Sequence, residues 1–350
     1  MKRSFYIFTM CLAMISTMCS KDSDPTGPDD SQGLTVKTVT FSGWDRSYEI
    51  TNAETKVIVV PAIGRIMYYG LKDGNNILWN NSRFFGKTLP PGEPYRENGK
   101  LTWANFGGDK VWPTEQSKFP DINGHAWPPD HWFDGGVHEA EELPNGVKIT
   151  SRVSDYCGAR SIREITLAEK GTELSIRQTI RKEKRARVNS VELIEYTIWN
   201  VTQIRNPYLT LFNLNPASTL PNGMYFWSNE ASSNFTRHGD VGVLVPSASA
   251  SQKAGADSDY WLAAIVDNTV IGEFFRLQPG ATYPDGGLSA EVYTSPEYTE
   301  LELLSPLQEL RLEEEIQFDI SWRLHKLSKN AVTRDQKREA AVEWLNSFAE

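Results

Sequence analysis

The sequence of 350 residues contains only three cysteines, Cys11, Cys19 and Cys157. Two of them lie within the first twenty residues, so the rest of the chain has one cysteine and no disulfide framework can stabilise it. Stability must therefore come from a buried apolar core. A chain of this length can bury such a core in one large domain or in two moderate ones.

Basic residues are scarce relative to acidic ones: 36 Lys and Arg stand against 45 Asp and Glu, giving a formal charge of -9. No basic stripe is present, which disfavours nucleic acid and polyanionic partners. The sequence also lacks a Gly-x-Ser-x-Gly motif, a P-loop and a dinucleotide fingerprint. Nucleotide-dependent chemistry is therefore not supported, and we expect no cofactor.

Long apolar runs are absent, and the only shorter one of note covers positions 5–15, after a charged start. This run is too short to span a bilayer as a helix. With the small residues that follow, it predicts a signal peptide over residues 1–18. Cys19 comes next, as in a bacterial lipobox, and is the predicted lipid anchor. Met18 stands where a small residue is usual, so an ordinary soluble secreted protein is the alternative.

The residues after Cys19 are all polar, Gly or Pro up to position 33. Such a segment cannot bury enough surface to order itself, so 19–33 is predicted to be the lipid anchor and a flexible linker. The run Lys-Asp-Ser-Asp at 21–24 resembles the acidic signal that sends some Gram-negative lipoproteins to the outer face of the outer membrane, and a solvated linker is the alternative. We expect a cell-envelope protein that contacts the membrane through its lipid, at the outer membrane.

Short runs of β-type residues recur from Leu34 onward. Residues 174–180 and 316–322 alternate apolar with polar, which is the period of a strand with one buried face. With turn pairs such as Asn145-Gly146, the pattern predicts an all-β antiparallel sandwich over 34–327. The predicted strands are 34–41, 47–52, 56–60, 65–69, 147–153, 161–167, 173–180, 188–199, 260–267, 271–277, 288–294, 298–304 and 316–324.

The C-terminal residues 328–350 are predicted to form a helix. Thr333 and Gln336 have the spacing of a capping box at its start. An apolar face follows, and we expect it to pack on the outside of the sandwich. This face contains Ala341, Trp344, Leu345 and Phe348.

Residues 80–145 are too rich in Pro, Gly and Trp to be strands, and a loop of this length is usually functional or disordered. Its aromatic residues argue against disorder. The stretch from Trp103 to Asp134 has the composition of a sugar site, because indoles stack on the C–H faces of a pyranose and polar groups pair with its hydroxyls. The alternative is that the tryptophans only attach the loop to the sheet. The predicted ligand-binding residues here are Asn105, Asp109, Lys110, Trp112, Trp127, Asp130 and Asp134.

Three histidines, His125, His131 and His138, lie near acidic residues in the same segment. Their spacing matches neither a His-x-x-x-His helix motif nor a turn pair, so no metal ligands are assigned. A metal site stays as the less favoured alternative to hydrogen-bonding or exposed histidines.

Glu300 and Glu302 lie two residues apart in a predicted strand, hence on the same face, with leucines on the other. If that face lines a cleft, burial raises the pKa of one carboxyl, which can then act as a general base. If the face is exposed, both are ordinary solvated carboxylates.

Five motifs follow one another along the chain. They are Pro61 to Ile66, Asn105 to Pro113, Trp127 to Gly136, Trp199 to Gln203, and Glu300 to Pro306. Together they resemble a DUF4380-like bacterial lipoprotein family, which is similar to the galactose mutarotase-like superfamily. The resemblance covers residues 34–327 and implies a large antiparallel β-supersandwich with a sugar-binding cleft on one concave sheet.

In mutarotases a glutamate takes the proton of the anomeric hydroxyl and a histidine protonates the ring oxygen. By position, the resemblance implies Glu302 as the base, with Glu300 close by, and Arg65, Asp109 and Lys110 as polar groups of the cleft. The segment that carries the histidine reads Thr202-Gln203 here, and an amide cannot supply a proton. Gln203 is therefore assigned to ligand binding, and His125 or His131 is the candidate replacement acid.

The sequence thus predicts an extracytoplasmic lipoprotein that binds a carbohydrate ligand, a sugar or glycan, without a cofactor. The alternative is a sugar epimerase that uses Glu302 as general base, with Glu300 and His125 as further candidate catalytic residues. A glycan hydrolase would need Glu302 and Asp109 or Asp134 to flank one bond, and a lyase is a further option on this fold.

Overall fold

The computed structural model describes residues 33–187 and 194–348. The predicted signal peptide, Cys19 and most of the linker lie outside the described residues, as do positions 188–193 of one predicted strand. The described strands, in chain order, are β1 (Thr35–Phe41), β2 (Trp44–Thr51), β3 (Thr55–Val60), β4 (Arg65–Leu71), β5 (Arg96–Glu97), β6 (Lys100–Leu101), β7 (Asp109–Trp112), β8 (His138–Leu143), β9 (Gly146–Ser151), β10 (Ala159–Leu167), β11 (Leu174–Lys182), β12 (Ile194–Tyr196), β13 (Trp199–Arg205), β14 (Leu209–Leu214), β15 (Tyr225–Phe226), β16 (Phe235–His238), β17 (Val241–Leu244), β18 (Gln252–Ala256), β19 (Ser258–Val266), β20 (Thr269–Phe274), β21 (Ala290–Thr294), β22 (Tyr298–Leu304), β23 (Gln308–Leu310) and β24 (Glu315–Lys326).

Helices are few and short in the described residues, apart from the last. They are α1 (Phe119–Asn123), α2 (Asn229–Ser233), α3 (Pro284–Gly287) and α4 (Arg334–Asn346), with 3₁₀ turns at Pro61–Ile63, Ser82–Phe84, Gln116–Lys118 and Pro221–Gly223. Within the described part of the chain, no helix is long and apolar enough to cross a membrane.

Two antiparallel sheets of ten strands form the fold. The front sheet has the order β1-β2-β3-β4-β7-β13-β22-β21-β18-β15, and the back sheet has the order β16-β17-β14-β19-β20-β24-β11-β10-β9-β8. One apolar cluster contains buried side chains from both sheets, for example Leu303 of the front sheet and Ile320 of the back sheet. The predicted antiparallel sandwich is confirmed.

Alternation along the strands explains why they form. In β24, residues 316, 318, 320, 322 and 324 are buried and their neighbours are exposed or half-buried. Each buried side chain of this size stabilises the fold by about 1.5–3 kcal/mol relative to exposure. β11 alternates in the same way and pairs with β24 from Leu174↔Trp322 to Arg181↔Glu315. The period-two pattern therefore sets both the strand and the face that it buries.

Helix α4 begins with the predicted capping box. The Thr333 hydroxyl accepts from the Gln336 backbone N–H, and the Gln336 side-chain oxygen accepts from the Thr333 backbone N–H. Ala341 and Leu345 are fully buried against the outer face of the back sheet. A Cβ on Gly272 of β20 would lie 2.6 Å from a methyl carbon of Leu345. The absence of a side chain there lets the helix approach the sheet, and the expected outer packing is confirmed.

The segment 80–145 is mostly irregular, as expected, but it contains one strand in the centre of the front sheet. β7 lies between β4 and β13, with four residue pairs to β13 and one pair, Ile66↔Asp109, to β4. The expectation that this whole segment is too rich in Pro, Gly and Trp for strands is therefore wrong for residues 109–112, and also for β5, β6 and β8, of which β8 forms one edge of the back sheet. Four residues flanked by glycine and proline can still pair when both neighbouring strands are already in place.

Candidate functional site

The outer face of the front sheet brings the charged residues of the site together. Val111 and Leu303 point into the core, so Lys110 and Glu302, one position away on the same strands, point to the opposite face. Cross-strand register then forms one row of Lys110, Val201, Glu302 and Glu291. A second row, two residues along each strand, contains Gln203, Glu300, Tyr293 and Lys253.

A cavity of about 230 Å³ lies over these rows. We call it the front pocket; it is lined by Trp103, Trp112, Gln116, Trp127, Trp199, Lys253, Tyr293, Tyr298, Glu300 and Glu302. Pockets for drug-sized ligands are typically about 300–1,000 Å³. The front pocket is therefore scaled to a smaller molecule with both polar and aromatic contacts.

Glu302 lies at the floor of the front pocket and is 1% exposed. Its Oε2 accepts a hydrogen bond from Trp199 Nε1 at 2.9 Å and lies 3.4 Å from Lys253 Nζ. Lys253 also forms an ion pair of 2.6 Å with Glu291 Oε2. Burial raises the pKa of the Glu302 carboxyl, with Lys253 opposing the shift. The pKa of Glu291 is raised well above its ordinary value for the same reason.

The pKa of Lys253 is set by two opposing effects, burial and the neighbouring carboxylates. Burial by itself would lower the pKa of the ammonium, but Glu302 and Glu291 outweigh burial and raise this pKa above its usual value. Lys253 therefore stays charged over the whole physiological range. Its proton is held too tightly for an efficient general acid.

Lys110 and Glu300 form the second ion pair of the floor, with Nζ and Oε1 3.1 Å apart. The ammonium lies 5.5 Å from the ring centroid of Trp103 and 5.2 Å from that of Trp112, within the range of cation–π contacts. Burial lowers the pKa of Lys110, and Glu300 opposes that shift. Both predicted glutamates thus line the pocket, and each has a lysine partner.

Tryptophans form the wall of the front pocket. Trp112 packs edge-to-face on Trp103, Trp127 and Trp199, with centroid distances of 6.2, 6.1 and 4.9 Å. Trp127 stacks on Phe119 at 6.2 Å and is 41% exposed. One face of the Trp127 indole is therefore covered by protein, while part of the side chain faces solvent beside the pocket.

Asp134 holds this wall in place from behind. Its Oδ1 accepts from Arg65 Nη2 at 2.9 Å and from Trp112 Nε1 at 2.8 Å, and its Oδ2 accepts from Trp103 Nε1 at 2.6 Å. Arg65 also donates to the Gly107 carbonyl at 2.8 Å. Burial lowers the pKa of the Arg65 guanidinium, with Asp134 opposing the shift. Arg65 and Asp134, both predicted to bind the ligand, thus lie beneath the wall and are not among the residues that line the pocket.

Asp109 and Asp130 lie away from the pocket. Asp109 is fully buried on the inner face of β7, where it accepts from Arg163 and from Thr202 Oγ1 at 3.1 Å. Asp130 accepts from Ser154 and from the backbone N–H of Trp132, and burial raises its pKa to about 6. The interpretation of these two residues as cleft groups is therefore wrong in position. Both carboxylates tie segments together.

Two further candidates lie near the floor. Gln203 is fully buried beside Glu300 in the register, and its side-chain N and O have no hydrogen-bond partner among the described residues. Asn105 has its Oδ1 buried without a partner in the described structure, and its side chain hydrogen-bonds to Tyr298. Unpaired buried amide atoms are costly. Neither residue is among those that line the front pocket.

None of the three candidate histidines is among the residues that line the front pocket. His125 contacts Tyr156 edge-to-face at 6.0 Å. His131 and His138 are buried, and burial lowers the pKa of each to about 4. Among the described residues, 33–187 and 194–348 taken together, there is no group of three or more His, Cys, Asp or Glu that could hold a metal ion. No histidine in the described part of the chain lines the pocket that contains Glu302.

Sequence reasoning missed Lys253 and Glu291. Each is the one charged residue of its strand, Lys253 in QKAGA and Glu291 in AEVYT. A charged residue inside such a strand is a signal in itself, because it needs a partner if it is buried. The partner, Glu302, could be identified only from the register of β18, β21 and β22.

The sequence matches no protein-family model and no curated protein, so membership of the DUF4380-like family stays a prediction. Solved structures do match. A candidate aldose 1-epimerase from Klebsiella pneumoniae is similar with a TM-score of 0.59 at 9% identity, over 91% of this chain and 88% of that one. The Slr1438 protein of Synechocystis sp. matches with a TM-score of 0.50 at 12% identity, over 83% of this chain and 99% of that one. The chain therefore has the aldose 1-epimerase, or galactose mutarotase-like, β-supersandwich fold.

Proposed function

We propose that this protein binds an uncharged sugar in the front pocket. The observation that carries the proposal is the pairing of an indole wall with a floor of charged groups that are already joined as ion pairs. The C–H face of a pyranose stacks on an indole, and its hydroxyls pair with fixed carboxylates, ammonium groups and amides. The amides of Gln203 and Asn105 lie next to this floor, at Glu300 and Tyr298.

Charge balance favours a neutral ligand. Three carboxylates, Glu300, Glu302 and Glu291, face two ammonium groups, Lys110 and Lys253. A sugar phosphate or uronate would bring a further negative charge next to these carboxylates in a desolvated site, which costs binding free energy. We therefore expect neutral hexoses to bind more tightly than the corresponding uronates or hexose phosphates.

Isothermal titration calorimetry with a panel of neutral hexoses, their uronates and their 6-phosphates tests this proposal. Trp127→Ala should weaken binding of the best neutral sugar by about 1–3 kcal/mol, the scale of burying a large apolar side chain. Tyr208→Ala is the matched control, because Tyr208 is 42% exposed and does not line the pocket. If Trp127→Ala binds that sugar as tightly as the parent chain, the site lies elsewhere.

A second candidate function is an aldose epimerase with Glu302 as general base. It is favoured by the position of Glu302 in the pocket and by the raised pKa of its carboxyl. The base would take the proton of the anomeric hydroxyl while an acid protonates the ring oxygen, so that the ring opens and closes on either face. The lack of a histidine among the pocket-lining residues and the tight proton of Lys253 disfavour it.

Anomeric exchange of freshly dissolved α-D-glucose and α-D-galactose, followed by NMR, separates the two functions. If the protein only binds, the parent chain does not accelerate exchange, and Glu302→Gln changes affinity by no more than a few-fold. If it is an epimerase, the parent chain accelerates exchange and Glu302→Gln removes that activity while largely sparing binding. A hydrolase that pairs Glu302 with Asp109 is disfavoured, because Asp109 lies on the inner face of β7.

We also propose that the mature protein is a lipoprotein of the cell envelope, on the strength of the lipobox-like sequence that ends at Cys19. Mass spectrometry of the mature N-terminus should find acyl chains on Cys19. Cys19→Ala should prevent processing and membrane attachment. A free amine on any other first residue would contradict the proposal and favour an ordinary secreted protein.

A further inference from the structure

A second exposed aromatic surface continues from the front pocket toward the edge of the front sheet. Trp227, directly after β15, is 41% exposed, and Tyr225 of β15 is 48% exposed. Their rings meet edge-to-face at 4.8 Å. Trp227 and Trp127 are thus equally exposed indoles, one beyond the pocket and one in its wall.

Lys253 joins this surface to the front pocket. Its ammonium lies 4.9 Å from the ring centroid of Trp199 in the pocket wall and 5.0 Å from that of Trp227. The two indoles are therefore at most about 10 Å apart. Trp227 is also fixed to this strand by its backbone N–H, which donates to the Lys253 carbonyl at 3.1 Å. The aromatic surface and the pocket share one charged side chain.

The register gives the length of the combined surface. Glu302 pairs with Glu291, Glu291 with Gly255, and Gly255 with Tyr225. Three interstrand spacings separate β22 from β15, which is about 14 Å. This distance exceeds one pyranose ring and suits two or three linked rings.

We propose that Trp227, with Tyr225, forms a second sugar subsite, so that the ligand is an uncharged oligosaccharide of at least two units. This inference rests on the proposed sugar-binding function of the front pocket. An ammonium has three donor positions, and two carboxylates, Glu302 and Glu291, face that of Lys253. The third can reach a hydroxyl near the linkage between the two units.

The physical reason for a sugar at this place is the combination of flat apolar faces with a neighbouring hydrogen-bond donor. Trp227 offers its ring at the edge of the sheet, and Tyr225 adds a hydroxyl at its tip. The excess of carboxylates that disfavours anionic sugars in the front pocket lies within about 10 Å of Trp227, since the Lys253 ammonium lies between the two indoles.

Calorimetry with glucose, galactose and their di- and trisaccharides (cellobiose, maltose, lactose, β-1,4-galactobiose and the corresponding trisaccharides) tests the subsite. The parent chain should bind at least one oligosaccharide more tightly than its monosaccharide, by on the order of tenfold. Trp227→Ala should remove that gain and leave the monosaccharide affinity unchanged. Trp227→Phe keeps an aromatic face and should retain most of the gain in affinity. Trp127→Ala should weaken the binding of monosaccharides and oligosaccharides alike.

The failures are distinguishable. If Trp227→Ala leaves the oligosaccharide gain intact, the subsite is refuted while the front pocket stands. If Trp227→Ala weakens monosaccharide and oligosaccharide binding equally, the subsite is also refuted, because Trp227 then belongs to one common site. If the parent chain binds none of these sugars, the proposed function fails and the subsite fails with it. Tyr208→Ala should change none of the affinities.

Discussion

Asp134 offers the strongest test of how the pocket wall is built, because one carboxylate serves three donors. Asp134→Ala leaves the Arg65 guanidinium fully buried, and among the described residues the Gly107 carbonyl is then its one remaining hydrogen-bond acceptor. It also leaves the indole N–H groups of Trp103 and Trp112 without their acceptor. Removing one partner of a buried ion pair costs about 3–5 kcal/mol, chiefly because the other charge stays desolvated.

The size of the loss can be bounded from the surroundings. Asp109 and Glu300 also act on the Arg65 guanidinium electrostatically, so part of the field that stabilises its charge remains. We therefore expect the lower end of the range, about 3 kcal/mol, for Asp134→Ala. The double variant Arg65→Met with Asp134→Ala removes the unpaired charge as well and should recover part of this loss.

Urea unfolding followed by tryptophan fluorescence measures both effects, and sugar titration of the folded variants measures the effect on the wall. Glu97→Ala is the matched control in the same long segment, since Glu97 and Arg83 form an exposed ion pair that should contribute less than about 1 kcal/mol. A loss of less than about 1 kcal/mol for Asp134→Ala, or a double variant less stable than the single one, would show that Asp134 does not stabilise the wall as the partner of a buried charge.

Three further predictions concern stability. The pKa of Asp130 is raised from 3.8 to about 6 in the fold. Protonated Asp130 therefore contributes on the order of 3 kcal/mol to the free energy of unfolding below pH 3.8, and this contribution is lost as the pH rises through 6. Asp130→Asn should flatten the plot of unfolding free energy against pH in this range, and parallel plots for the parent chain and the variant would contradict the shift. Gly64→Ala should destabilise the fold by more than Gly99→Ala, although both have positive φ, because a Cβ at Gly64 would lie 2.2 Å from the His138 ring while Gly99 has nothing within 4 Å; equal chemical-denaturation midpoints would contradict the clash. Leu345→Ala should cost about 2–5 kcal/mol in the same assay, and a loss below 1 kcal/mol would show that α4 does not contribute to the sandwich.

The fold could be predicted where a local pattern decides the structure. β24 and β11 follow from alternation alone, and α4 follows from its capping box and apolar face. β7 could not be predicted in this way. Its four residues carry no visible period, and its strand conformation depends on pairing with β13, about ninety positions later in the chain.

The same distinction applies to the site: relations within one strand follow from the sequence, and relations between strands do not. Glu300 and Glu302 share a face because they lie two residues apart, and that relation needs no tertiary information. Asp109 and Lys110 are adjacent, so they point to opposite faces, but only the strand assignment of β7 tells which one faces the pocket. Lys253 could not be connected with Glu302 from the sequence, because about fifty residues and an unpredicted register separate them.

The two faces of β7 explain why the floor of the pocket is rigid. On the inner face, Asp109 accepts from Arg163 of the back sheet and ties the two sheets together directly beneath Lys110. On the outer side, Asp134 fixes the indoles that pack around Lys110. The pocket is therefore held from below and from behind before any ligand arrives, which reduces the entropic cost of binding.

The same rigidity weighs against catalysis by Glu302. Burial raises the proton affinity of its carboxyl, as a general base requires, but Lys253 and the Trp199 N–H stabilise the ionised form. Taking a proton from a sugar hydroxyl would neutralise Glu302 and leave Lys253 with Glu291 alone, whose own pKa is raised well above its ordinary value. The protonated state of Glu302 in such a reaction would thus lack its ion pair with Lys253. A bound sugar that only accepts and donates hydrogen bonds leaves those pairs intact, and for this reason the arrangement favours recognition over turnover.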